Sequence, residues 1–300
     1  MNQVKIFHHN DLDGYAAAAA VFYERYEGVY DPIIQFIELS HESTDKEKIE
    51  TVEEGDIVWL VDYSFSESTL PNLKYILKKA NKVYWIDHHN TSIKLVKMYP
   101  ELVQIDGLVL EGISGAALTY MYINGIKPEN YEDEVPYFLK IISDYDCWQK
   151  KYSQSDFFAL GMKVTDMRNI SSTTYSSLFK DKSMSKSTTV DTIVERGLTI
   201  RKYLNEEYKF IREHYGYEAI IEDYKCFCVN NEGNSWVFGD LISQYPICIL
   251  FSFNGESYMV SLYSDDPDVD CSKIAEKFGG GGHRGAAGFT CTALPFKKIN

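Results

Sequence analysis

The sequence predicts an α/β protein, with an N-terminal domain built on a largely parallel sheet flanked by helices and a smaller C-terminal α/β domain. Three observations predict it. Short apolar runs rich in β-branched residues alternate with segments of helical periodicity through the first half of the chain. A stretch rich in Ser, Thr and Lys, ISSTTYSSLFKDKSMSKSTT at residues 170–189, breaks that alternation. Beyond it, one long amphipathic segment leads into a second set of strand-like runs.

Taken in order, VKIF (Val4–Phe7) reads as the first strand, YAAAAAVFYERY as an alanine-rich helix, and IIQFIEL as the second strand. DIVWLVDYS reads as a buried strand, LPNLKYILKKA as an amphipathic helix, and KVYWIDHHN as a further strand. EVPYFLKIISDYDCW reads as a helix to about Ser143, with Pro136 in its first turn. VDTIVERGLTIRKYLNEEYKFIREHY is a long connecting helix. The strands YEAII, YKCFCVN, ICILFSF and SYMVSLYS follow, then a helix at CSKIAEKF and a last strand at AGFTC. The expected division is residues 1–185, a connecting helix at 186–215, and residues 216–300.

Composition narrows the function. The chain has 300 residues, 45% hydrophobic and 25% charged, as soluble globular proteins do. No apolar run is long enough to span a bilayer, so no membrane partner is expected. MNQ passes straight into VKIF without the basic and apolar regions of a signal peptide, which makes a cytoplasmic setting the expectation. The six cysteines form no CxxC pair and read as buried free thiols. A net charge of −14 argues against a broad cationic surface for long nucleic acid, duplex or single-stranded. It leaves room for a phosphate substrate, because bound cations can supply positive charge locally.

The ionisable residues are concentrated at strand ends. The first strand ends in FHHNDLDG, which carries His9, Asp11 and Asp13. The strand at residues 57–61 ends in Asp62, and the strand at 83–86 ends in Asp87, His88 and His89. In a parallel sheet ligands gather beyond the carboxyl ends of the strands. Acids from three such ends would repel one another unless a counter-ion held them, and a divalent metal is the obvious one. Mixed His and Asp donors suit Mn²⁺, Zn²⁺ or Fe²⁺ better than Ca²⁺. Six or seven donors exceed one ion's needs and fit a two-metal centre in which a carboxylate bridges.

HNDLDG at His9–Gly14, the aspartate of VDYS at Asp62, and DHH at Asp87–His89 resemble the first three motifs of the DHH phosphoesterase superfamily. GGGGHRGAAGF at Gly279–Phe289 is similar to the glycine-rich motif of the DHHA1 domain, so the resemblance covers nearly the whole chain. It implies one metal on His9, Asp11 and Asp62, and a second on Asp13, Asp62, His88 and a fourth-motif aspartate, with Mn²⁺ the preferred ion. It also implies that His89 faces the phosphate and that Asp87 orients the histidines. ISDYDCW offers Asp144 and Asp146 for the fourth motif; on a helix only one can reach, and Asp144, next to the apolar helix, is the expected ligand.

Gly280, Gly281 and Gly282 can bring backbone N–H groups close to phosphate oxygens, and His283 and Arg284 can add charged hydrogen bonds. The resemblance puts this domain across a cleft from the metals, holding the remote end of a substrate. His8 is expected to support a ligand through a hydrogen bond or to lie on the opposite strand face, and His41 and His214 to lie on the surface.

The expected activity is metal-dependent hydrolysis of short oligonucleotides or linear and cyclic dinucleotides to mononucleotides, with relatives' 3′-phosphatase activity alongside it. Competing readings are a RecJ-like exonuclease on long single strands, a pyrophosphatase or polyphosphatase, and a nucleotide sensor that does not hydrolyse. Whether the chain forms a homodimer is open.

Overall fold

A computed structural model describes residues 3–29, 33–185 and 187–299. The chain forms two compact units, Met1–Ile200 and Arg201–Asn300.

The first unit contains strands β1 (Gln3–His9), β2 (Ile33–Leu39), β3 (Ile57–Val61), β4 (Lys82–Asp87) and β5 (Asp106–Val109). Its helices are α1 (Leu12–Val21), α2 (Asp45–Ile49), α3 (Leu70–Lys79), α4 (Asn90–Met98), α5 (Gly115–Asn124), α6 (Tyr131–Glu134), α7 (Tyr137–Asp146), α8 (Ser155–Lys163) and α9 (Thr173–Lys180). The five strands form one sheet in the order β2-β1-β3-β4-β5, and every pairing is parallel. This is the architecture the alternation of strands and helices predicts.

Strand periodicity explains why both faces are covered. Val4, Ile6, Trp59, Val61 and Ile86 point to one face and pack with α1, α5 and α7. Phe7, Val58, Leu60, Val83 and Trp85 alternate with them and meet Leu73 and Ile76 of α3 on the other. Leu60 is fully buried, so truncating it to Ala would cost about 2–5 kcal/mol. Ala16–Ala20 have no exposed surface, and their small side chains let α1 approach the sheet and α5 closely. In this order the chain reverses direction across the sheet between β1 and β3, where open α/β sheets bind ligands.

α10 (Thr188–Tyr215) carries the chain into the second unit. There β6 (Gly216–Ile221), β7 (Tyr224–Asn230), β8 (Ile247–Phe253), β9 (Tyr258–Tyr263), α11 (Cys271–Lys277), β10 (Gly281–His283), β11 (Ala286–Cys291) and β12 (Lys297–Lys298) follow. The sheet order is β10-β11-β9-β8-β7-β6-β12, antiparallel except for β7 with β8. All six cysteines are free thiols, four of them buried. Among the described residues, no helix is long and apolar enough to cross a membrane.

Two local features depart from the sequence expectation. α7 does not stop at Ser143 but runs to Asp146, because Asp144 finds backbone and hydroxyl donors and need not end the helix. The glycine-rich tail adds a strand that the sequence reading did not include: β10 forms a hairpin with β11.

Candidate metal centre

Three strand ends meet at the reversal point. After β1, Asp11 caps α1: its Oδ1 accepts from Gly14 N at 2.9 Å, and its Oδ2 lies 2.7 Å from His9 Nδ1. This is the ordinary reason for Asp before a helix. It also holds the His9 ring beside an acid, and that hydrogen bond raises the His9 pKa. Asp13, in the first turn of α1, reaches the start of α5 and accepts from Gly115 N at 2.6 Å and Ala116 N at 3.0 Å. A helix N-terminus thus partly compensates a carboxylate that is 2% exposed.

Asp62, directly after β3, has φ of 55° and is 1% exposed. That backbone region costs a residue with a Cβ about 1–2 kcal/mol, and Asp tolerates it better than most. Neither of its carboxylate oxygens has a hydrogen-bond partner. Burial, then repulsion from Asp13 and Asp11, raises its pKa well above the usual carboxylate range.

After β4, His88 turns Nε2 toward three acids: 3.2 Å from Asp62 Oδ1, 3.3 Å from Asp146 Oδ2 and 3.7 Å from Asp13 Oδ2. None of these contacts has hydrogen-bonding alignment, so His88 Nε2 is also unpartnered. Its Nδ1 lies 3.9 Å from the Cys147 thiol. Asp87 is fully buried and holds the next residues in place, with Oδ1 accepting from His88 N at 2.9 Å and lying 2.7 Å from His89 Nδ1. Burial lowers the His89 pKa, but Asp87 and the neighbouring acids outweigh it and hold the imidazole at about 9.

The fourth-motif expectation is corrected here. Asp144 points into the protein, where it accepts from Lys151 N at 2.6 Å, Tyr152 N at 3.3 Å and Ser155 Oγ at 2.5 Å. Asp146, two residues on and across the helix, is the acid beside His88. Burial, then Asp13 and Asp11, lifts the Asp146 pKa to about 8. Asp146→Asn is therefore expected to lower metal content and reduce turnover at least about 100-fold, as disturbing a metal's supporting groups does. Asp144→Asn should keep its metal and lose about 1.5–3 kcal/mol of stability. Elemental analysis and thermal melts of the two variants separate these outcomes.

The residues fit a metal. His9, Asp11 and Asp62 form one group with donor atoms within 4.8 Å of one another, and Asp62, Asp87, His88 and His89 form another. Asp62 belongs to both. Buried oxygens with no donor, facing other buried acids, need a cation to be stable.

Sequence reasoning missed the glycine that makes room for this. A Cβ on Gly115 would lie 2.5 Å from Asp62 Cβ and 2.7 Å from its Oδ1. In the chain it is one glycine among small residues in ISGAAL, with no chemical label. His8 faces away, packed on Tyr15 with ring centroids 4.9 Å apart.

The tail residues lie in the second unit. A Cβ on Gly280 would lie 2.0 Å from Gly288 O, and one on Gly282 2.6 Å from Ala287 Cα, so two of the glycines are needed to close the hairpin. Gly281 has open space around it, His283 is exposed, and Arg284 Nε donates to Val269 O at 3.3 Å.

No protein-family model matches the sequence. The chain is 26% identical to the oligoribonuclease NrnB of Bacillus subtilis (strain 168), over 96% of its own length and 72% of the relative's. Among solved structures it resembles the pGpG-specific phosphodiesterase PggH of Vibrio cholerae, with a TM-score of 0.53, 15% identity, and 97% and 94% of the two chains covered. It also resembles the DHH domain of a protein described as belonging to a family of ribosomal proteins, with a TM-score of 0.55, 14% identity, and 99% and 83% covered. Fold and site define a two-unit α/β protein with a buried His–Asp cluster at the strand ends. Its motifs, in order, resemble those of the DHH/DHHA1 phosphoesterase superfamily, and the chain is similar to NrnB along nearly its whole length.

Proposed function

We propose that this protein is a divalent-metal-dependent phosphodiesterase that hydrolyses short oligonucleotides or linear or cyclic dinucleotides to mononucleotides. The observation that carries the reading is Asp62, buried, without a donor on either oxygen, and shared by two groups of potential ligands. His9, Asp11 and Asp62 would hold one ion, and Asp13, Asp62, His88 and Asp146 the other; the family resemblance points to Mn²⁺, an ion such mixed donors accommodate. When bound, the ions supply positive charge at the phosphoryl oxygens and a water acidic enough to act as a nucleophile near neutral pH.

The chain's own residues do the rest. Asp87 keeps His89 oriented and protonated, so the imidazolium donates to a phosphoryl oxygen as negative charge develops there. Asp11 fixes His9, and the α5 N-terminus fixes Asp13, so the donors are in place before substrate arrives. Gly281, His283 and Arg284 would bind the remote end of the substrate. The net charge of −14 favours short strands, whose few phosphates ask for few cationic contacts.

A substrate panel with Mn²⁺ tests the reading. Dinucleotides to tetranucleotides and cyclic dinucleotides should yield mononucleotides, and rates should fall as the strand lengthens. Preference for long single-stranded DNA, or for pyrophosphate, would overturn it.

A further inference from the structure

Beside the metal centre the first unit has a hollow of about 470 Å³, bounded by the loop after β2, the loop after β3 and the starts of α3 and α4. We infer that this hollow is a nucleoside subsite, in which His41, backed by Tyr63, packs against a base while Ser64, Asn72 and Thr91 meet base and ribose polar atoms. The inference rests on the phosphodiesterase reading and names where one nucleoside of the substrate goes.

Position comes first. Ser64 and Thr91 stand two residues beyond Asp62 and His89, and the His41 ring centroid is 5.4 Å from that of His9. A group attached to a phosphate at the metal centre is therefore within reach of the hollow. Its volume lies in the range of pockets for ligands of this size.

The wall is built rather than incidental. His41 stacks on Tyr63 with centroids 4.4 Å apart and planes at 13°. Tyr63 is 2% exposed, and its hydroxyl donates to Asp45 Oδ2 at 3.0 Å. Asp45, itself 2% exposed, also accepts from Ser40 N at 3.0 Å. His41 is exposed and adopts φ of 61°, a conformation that glycine would take without penalty. Such outliers persist where surrounding structure enforces them, commonly at functional positions.

The polar lining is unspent. Among the described residues, the side chains of Ser64, Asn72 and Thr91 make no hydrogen bond within the protein. The charges on the lining, Glu42 and Asp45 against Lys46, disfavour a phosphate there and favour an uncharged, hydroxyl-bearing group with an aromatic face. A nucleoside has both.

The test uses the full Mn²⁺-loaded chain. His41→Gly removes the ring and suits the backbone, and Thr91→Val removes one hydroxyl at constant shape. His41→Gly should lower kcat/KM for a dinucleotide on the order of 10-fold, mainly through KM, as loss of a base-stacking contact does. Cleavage of bis(p-nitrophenyl) phosphate, which carries no nucleoside, should stay within about 2-fold. Equilibrium binding of adenosine 5′-monophosphate should weaken similarly in both variants, while binding of inorganic phosphate does not. Unchanged dinucleotide kinetics and unchanged monophosphate affinity in His41→Gly would overturn the inference and leave the phosphodiesterase reading intact. A wild-type protein that cleaves no dinucleotide would instead remove that reading, and the monophosphate affinities would still decide the subsite.

Discussion

Asp62→Asn is expected to abolish metal binding and turnover together. Among the described residues, Asp62 is the one carboxylate common to the two ligand groups, and neither of its oxygens has a protein donor. With Asp62 joining two ions, as proposed, a neutral amide in its place would withdraw charge from both at once. Loss of metal-assisted charge stabilisation worth about 4 kcal/mol corresponds to roughly 10³-fold in rate. The metal-free protein should respond in the opposite sense. Asp62 and Asp146 have folded pKa values raised above the ordinary aspartate value, Asp146 to about 8. The folded chain therefore holds protons that the unfolded chain releases above about pH 4. Stability from this pair is present below that pH and is lost as pH rises toward 8. Asp62→Asn should flatten that decline and raise the melting temperature of chelated protein near neutral pH, while removing the stabilisation that added Mn²⁺ gives the wild type. Melts with and without chelator, from pH 5 to 8, check both signs.

The second large effect is expected at Gly115, a residue with no chemistry of its own. Alanine in a helix is ordinarily favoured over glycine by about 1 kcal/mol. Here the new methyl would sit 2.5 Å from Asp62 Cβ, and Asp62 cannot simply retreat. Its N–H donates to Ile86 O at 2.9 Å, and its backbone occupies the left-handed region. Gly115→Ala must displace either the Asp62 carboxylate or the α5 N-terminus that holds Asp13. A displacement of about 1 Å at a reacting centre costs roughly 100-fold in rate. Turnover should fall by that order and metal content should drop, with helical circular dichroism unchanged. Wild-type kinetics in this variant would mean that Asp62 has more freedom than its surroundings suggest.

Much of the site was legible in the chain because its chemistry is local. His9, Asp11 and Asp13 follow one strand, and Asp87, His88 and His89 close another, so the strand pattern alone brings them to one sheet edge. The choice between Asp144 and Asp146 was not local. It depends on donors from Lys151, Tyr152 and Ser155, further along the chain, which hold Asp144 inward and let α7 continue. Gly115 was invisible for a related reason: its role is an absent Cβ at a contact between residues 53 positions apart. Likewise, the glycines of the tail suggested a phosphate cradle, whereas the requirement at Gly280 and Gly282 comes from the strand that packs against them. Nothing local marks His41 either, because its stacking on Tyr63 and its positive φ are set by the fold.

The central claim is that one buried carboxylate joins two metal ions. It is tested most directly by anomalous diffraction from a crystal of the Mn²⁺-loaded protein, collected at the manganese edge. The account predicts two peaks roughly 3.5–4 Å apart, both coordinated by Asp62, one with His9 and Asp11 and the other with Asp13, His88 and Asp146. A single peak, or two peaks that leave Asp62 uncoordinated while Asp144 turns outward as a ligand, would contradict it.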